Sequence, residues 1–126
     1  MSIPVLVVED EFLIALEISA QLTDAGYEVV GPANSVAEAL ALVSEAECDM
    51  ALLDVNLGSE SSAPVAAALK ARNIPFVVLS GYKERSLNED FNGAKILGKP
   101  FRTADLLAAC KRCLDGSGKG QQSEAP

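Results

Sequence analysis

Short apolar runs of strand length recur along this chain, and each ends abruptly on a polar or charged residue. Pro4-Val5-Leu6-Val7-Val8 stops at Glu9-Asp10-Glu11, Asp49-Met50-Ala51-Leu52-Leu53 stops at Asp54, and Phe76-Val77-Val78-Leu79 stops at Ser80-Gly81. Runs without polar alternation belong to strands buried on both faces, the habit of a parallel sheet covered by helices. Two weaker runs, Tyr27 to Val30 (closed by Gly31-Pro32) and Ala94 to Leu97, bring the strands to five. Between the runs the spacing turns helical. Ile14, Ile18, Leu22 and Ala25 share a stripe that Gly26 ends as a C-terminal cap. Ser35 and Glu38 form a capping box around Val36, Ala39, Leu40 and Val43. Pro64 suits the first turn of a third helix carrying Val65, Ala68 and Leu69, after a small-residue loop from Gly58 to Ala63. Lys83 to Gly93 is polar and weakly periodic, so the spacing predicts at most a short, poorly anchored helix there. A last helix is expected from about Thr103 to Leu114.

Five strands alternating with five helices predict an α/β fold, a doubly wound five-stranded parallel sheet with helices on both faces. Right-handed crossovers favour the flavodoxin-like order 2-1-3-4-5. That order gathers the carboxyl ends of strands one, three, four and five around one crevice. Residues 1–115 form the expected domain, and 116–126, rich in Gly, Ser and Gln, read as a flexible tail or linker.

The chain has 126 residues, of which 49% are apolar, enough for one well-filled core. No apolar run approaches bilayer-spanning length and no basic segment leads into an export signal, so a soluble, cytoplasmic protein is expected, without a membrane partner. The net charge of −8, with no basic cluster, argues against direct binding to nucleic acid. Histidine is absent, which removes the commonest general base, the usual zinc ligand and any phosphohistidine carrier role. Cys110 and Cys113 make a C-x-x-C, but they fall late in a helical pattern on its apolar side with Leu106 and Leu107. They read as small buried hydrophobes, since a redox pair opens a helix after a strand. Gly116-Ser-Gly-Lys-Gly lacks the upstream Gly, the hydroxyl residue and the preceding strand of a phosphate-binding loop.

The strand ends alone give Glu9, Asp10, Asp54, Ser80 and Lys99. Three carboxylates in one cleft repel: at about 5 Å and an effective dielectric of about 20, each pair costs roughly 3 kcal/mol. A bound cation or a retained proton relieves this. Oxygen-only donors with no His or Cys nearby suit Mg²⁺, and an added Lys and hydroxyl suit a phosphoryl group, with Asp54 as its nucleophile. Each residue also has a plainer reading. The acids fit the start of a helix, Asn56 a turn, Ser80 a bond to its own backbone and Lys99 a solvated surface.

Four segments in this order, Val7-Val8-Glu9-Asp10-Glu11, Leu52-Leu53-Asp54-Val55-Asn56-Leu57, Leu79-Ser80-Gly81 and Lys99-Pro100-Phe101, resemble the receiver domains of bacterial two-component response regulators over residues 3 to about 115. The resemblance implies that Asp54 is the phosphoacceptor, that Asp10 binds Mg²⁺ directly with Glu9 assisting, and that Asn56 offers its backbone carbonyl to the metal. It further implies Ser80 as the switch hydroxyl, Lys99 as the phosphate-pairing lysine and a cis bond before Pro100. Pro75-Phe76 and Gly81-Tyr82 are similar to a single-domain subgroup with a P-F-x-F-A-T-G-Y signature, although Val78, Leu79 and Ser80 replace its F-A-T. Many receivers carry an aromatic residue three positions before the lysine, where this chain has Ile96. An aromatic side chain turning inward is therefore unavailable as the readout, and Tyr82 with the Lys83–Gly93 segment is expected to carry the signal.

The expected function is a phosphorylatable switch, charged by a histidine kinase or phosphotransfer protein, with output through contact with a downstream protein. The chain is expected to be a monomer or weak homodimer, and not an enzyme beyond assisting its own phosphorylation and dephosphorylation. Two other classes fit the residues. One is a phosphorylation-independent interaction domain on the same fold. The other is a Mg²⁺-dependent aspartyl phosphatase, which needs a second acid where this chain has Asn56.

Overall fold

The computed structural model describes residues 2–81, 91 and 93–117, with the side chain of Ser117 excepted. The elements follow in the order β1 (Pro4–Val8), α1 (Phe12–Asp24), β2 (Glu28–Ala33), α2 (Val36–Glu45), β3 (Met50–Asp54), β4 (Asn56–Leu57), β5 (Glu60–Ser61), α3 (Ala63–Ala71), β6 (Phe76–Ser80), β7 (Lys95–Gly98) and α4 (Thr103–Ser117). Five strands form one sheet in the order β2-β1-β3-β6-β7, all parallel, as the doubly wound reading requires. The segment expected to hold a short helix between β6 and β7, Tyr82 included, lies outside the described residues, apart from Phe91 and Gly93.

Side chains on successive strand residues point to opposite faces, so an unbroken apolar run fills two cores at once. Leu6, Val8, Ala51, Leu53, Phe76 and Val78 meet α2 and α3 through Ala39, Val43, Val65 and Leu69. Val5, Val7, Met50, Leu52, Val77 and Leu79 turn the other way, toward Ile18 and Leu22 of α1 and Leu106 and Cys110 of α4. Cys110 is fully buried and Cys113 half-buried. Burial pushes their thiols up to about 12 and about 11, as inert core cysteines require.

Local chemistry sets the element ends. The Ser35 hydroxyl accepts the Glu38 N–H at 3.1 Å, half of the expected capping box, while the Glu38 carboxylate reaches one residue further back to the Asn34 N–H. The second strand runs past Gly31-Pro32 to Ala33, through an irregularity where Leu6 pairs with Val30 and Val8 with Ala33. Gly31 sits at φ +96°, and a Cβ there would lie 2.8 Å from the Ala33 nitrogen, so only glycine fits this kink. Two differences from the sequence reading concern the loop after β3 and the end of the last helix, which takes in the first two residues of the expected 116–126 tail. Gly58–Ala63 is not plain loop but contains half of an antiparallel hairpin pairing Asn56 with Ser61 and Leu57 with Glu60. The last helix continues three residues beyond Leu114, to Ser117.

Candidate functional site

Register assembles the site. Val8 pairs with Leu53, Asp54 with Leu79 and Ser80 with Gly98, so the residues at or just past the strand ends share one sheet edge. Glu9, Asp54, Ser80 and Lys99 therefore arrive together although they are spread over most of the chain. The main chain ties the edge further. The Glu9 N–H donates to the Ala33 carbonyl at 3.0 Å and the Lys99 N–H to the Ser80 carbonyl at 2.8 Å.

At this edge the Lys99 ammonium stands 3.1 Å from Asp54 Oδ2 and 3.3 Å from Glu9 Oε1. Its contact to Asp54 is a hydrogen bond, whereas Glu9 Oε1 has an ionic neighbour in Lys99 but no hydrogen bond. The other Glu9 oxygen accepts the Glu11 N–H at 3.1 Å. One oxygen from each of Glu9, Asp10 and Asp54 lies within 4.8 Å of the other two. Glu9 and Asp54 are buried at 1% and 7% exposure, so their mutual repulsion is poorly screened. Burial, followed by the Glu9 charge, pushes the Asp54 carboxyl up to about 7 against the opposing pull of Lys99. Burial lowers the Lys99 ammonium, but Asp54 and Glu9 together outweigh it and hold it above its ordinary value.

The cluster fits a hard divalent cation. Three carboxylates against one ammonium leave two net negative charges, the donors are all oxygen, and one buried oxygen lacks a hydrogen bond. Asp10, half-buried, also accepts the Gly58 N–H at 2.7 Å and so holds the loop that follows Asp54. Gly58 adopts φ +64°, which points that N–H back toward Asp10. Asn56 is exposed on β4, where its role would involve only its backbone. Ser80 is buried at the end of β6, and its hydroxyl donates to the Gly81 carbonyl at 3.1 Å. The Lys99–Pro100 peptide bond is cis, as the family resemblance implies. Ile96 points outward at 54% exposure, and Tyr82 lies outside the described residues.

The residue that sequence reasoning missed is Ser62. It is fully buried, and its hydroxyl bonds the carbonyls of both Asp54 and Val55 while its N–H donates to Val55 O at 2.9 Å. It thereby holds the backbone directly behind the candidate phosphoacceptor. The available signal is its position two residues before Pro64, where a hydroxyl residue preceding a helix ordinarily caps it. Here the side chain turns away from the helix instead and makes no cap.

A doubly wound parallel sheet with a buried strand-end aspartate, flanked by two further acids and a lysine, defines an α/β domain with an acidic crevice at the carboxyl edge of its sheet. The response regulator receiver domain family matches residues 5–111, and the chain belongs to it. It is 34% identical over 109 residues to the transcriptional regulatory protein PdtaR of Mycobacterium tuberculosis, covering 83% of this chain and 53% of that protein. It is 31% identical to the phyllosphere-induced regulator PhyR of Methylorubrum extorquens, covering 99% of this chain and 48% of that one. The chain thus spans about half the length of these relatives. Among solved structures, SdrG from Sphingomonas melonis superposes with a TM-score of 0.79 at 41% identity, covering 90% of this chain and 97% of that one. No helix among the described residues is long and apolar enough to cross a membrane.

Proposed function

We propose that this chain is a phosphorylatable signalling switch in which Asp54 accepts a phosphoryl group from a histidine kinase or phosphotransfer protein. Glu9, Asp10 and Asp54, with the Asn56 carbonyl, would hold Mg²⁺, which supplies positive charge to the carboxylates and to the transferred phosphoryl oxygens. The observation that carries the reading is the Lys99 ammonium, held 3.1 Å from a carboxylate oxygen of Asp54. Attack by an Asp54 oxygen on phosphorus forms the acyl phosphate as the donor's bond to phosphorus breaks. The Lys99 ammonium then has a more highly charged acceptor, and the Ser80 hydroxyl gains a reason to leave the Gly81 carbonyl for a phosphoryl oxygen. Moving a two-state equilibrium from nearly all off to nearly all on takes about 5.5 kcal/mol of differential binding. The Ser80 bond to a charged oxygen supplies part of that at roughly 1.5–3 kcal/mol, and Lys99, already bonded to Asp54, adds only the increase in its acceptor's charge.

Output runs through a partner protein that reads the phosphorylated state. The chain is an acceptor that assists its own modification and loss of phosphate rather than an enzyme with a turning-over substrate. The test is incubation with Mg²⁺ and acetyl phosphate followed by intact mass measurement. One added phosphoryl group is expected, absent in Asp54→Asn and absent when EDTA replaces Mg²⁺. No gain in the unaltered chain points to a phosphorylation-independent interaction domain. Sustained turnover of small phosphomonoesters points to a phosphatase.

A further inference from the structure

A cavity lies at the opposite end of the sheet from Asp54, at the amino ends of β6 and β7. It has a volume of about 650 Å³ and is walled by the end of α3, the turn before β6, the approach to β7 and the late turns of α4. Its surface includes the buried Ile74 and Phe76 and the half-buried Cys113. Lys70, Lys95 and Arg112 stand around it, and no carboxylate lines it among the described residues. That is a marked local reversal in a chain of net charge −8 with 18 acidic residues. Helix-end chemistry accounts for Lys70, which sits in the last turn of α3, but α4 has no basic residue in its last turn and Lys95 is on a strand. Neither the Lys95 ammonium nor the Arg112 guanidinium has an ion-pair partner among the described residues.

We propose that this cavity binds a small organic anion, an apolar body bearing a carboxylate or similar acid group, with the body against Ile74 and Phe76 and the anion between Lys95 and Arg112. The volume falls within the range of roughly 300–1,000 Å³ typical of small-molecule sites. Guanidinium and ammonium groups beside an apolar wall are the pairing such a ligand needs: charge to select it, apolar area to retain it. Electrostatics inside the cavity agree, since burial raises the Cys113 thiol while the Lys95 charge pulls it back down. The site does not depend on phosphorylation of Asp54, and it stands or falls separately from that function.

The experiment is an amide NMR titration of the full isotope-labelled chain with 1-naphthoate, alongside the neutral 1-naphthalenemethanol and plain acetate. The expected result is saturable shifts at Ile74, Phe76 and Lys95 with naphthoate, at least tenfold tighter than with either control. Lys95→Glu combined with Arg112→Glu should weaken it at least tenfold while leaving distant resonances in place. Should that pair perturb the fold, Arg112→Gln and a salt titration of the unaltered chain serve instead, each expected to weaken binding. Equal response to the neutral alcohol, binding indifferent to salt and to Arg112→Gln, or shifts confined to another surface each overturn the site. Tighter binding of an acidic peptide than of naphthoate overturns the small-molecule assignment.

Discussion

Replacing Asp54 with Asn should make the metal-free protein more stable at neutral and alkaline pH, although it removes a hydrogen-bonded ion pair. The Asp54 carboxyl is pushed from an ordinary 3.8 up to about 7, first by burial and then by the Glu9 charge. A folded-state value above the unfolded one means the native protein holds its proton more tightly between those limits. Stability from this group is therefore complete below the unfolded value and is lost as pH rises through about 7. A separation of about three pH units corresponds to a ceiling of about 4 kcal/mol, at roughly 1.4 kcal/mol per unit. Asn carries no charge at any pH and escapes that loss, and no separate deduction is due for Lys99, whose attraction is already contained in the net value of about 7. The gain for Asp54→Asn is then at most about 4 kcal/mol at about pH 8, shrinking to under about 2 kcal/mol at about pH 5. Urea denaturation in EDTA at both pH values measures it, because midpoints shift with stability while slopes stay constant. Added Mg²⁺ should stabilise the Asp54 protein selectively and close the gap, since ligand binding to the folded state adds to its stability. Midpoints of the two proteins that move in parallel with pH, or an Asn variant that is the weaker one at alkaline pH without metal, refute the reasoning.

Three further substitutions test separate parts of the site and its support. Lys99→Ala removes an ammonium that touches both Glu9 and Asp54, so carbon-detected NMR should find the Asp54 carboxyl titrating still higher than about 7, and acetyl phosphate labelling should slow severely. An Asp54 titration left in place contradicts the geometry. Ser62→Ala strips a buried hydroxyl from two carbonyls and should cost about 1–3 kcal/mol in thermal or urea unfolding, whereas the exposed Ser59→Ala should stay within about 0.5 kcal/mol. Gly31→Ala places a methyl group 2.8 Å from the Ala33 nitrogen at φ +96° and should destabilise by roughly 2 kcal/mol or more, with loss of amide exchange protection at Glu9 as the local sign.

The sheet was legible because its strands are buried on both faces. Once Leu6, Val7 and Val8 admit no wet side, the parallel covered sheet follows, and with it the edge where Glu9, Asp54, Ser80 and Lys99 meet. A parallel register needs no cross-strand pairing code when each run is about five residues long and ends on a polar side chain. The polar residue then falls at or just past the strand end, so the site is a by-product of the same pattern that builds the core. What escaped is of another kind. Ser62 and Gly58 act through backbone groups, one on the Asp54 carbonyl and one through its N–H to Asp10, and such contacts leave no periodic trace in a small-residue loop. The hairpin of Asn56–Leu57 with Glu60–Ser61 is too short for alternation to register. Phe12 and Leu13, both 74% exposed, look in the sequence like ordinary members of an apolar helix and belong to neither core. Their positions follow from the rotation of α1 about Ile18 and Leu22, which only the packed structure supplies. Side chains that obey the burial pattern were therefore readable. Those whose function is to hold backbone, or to remain uncovered on a helix that is otherwise core, were not.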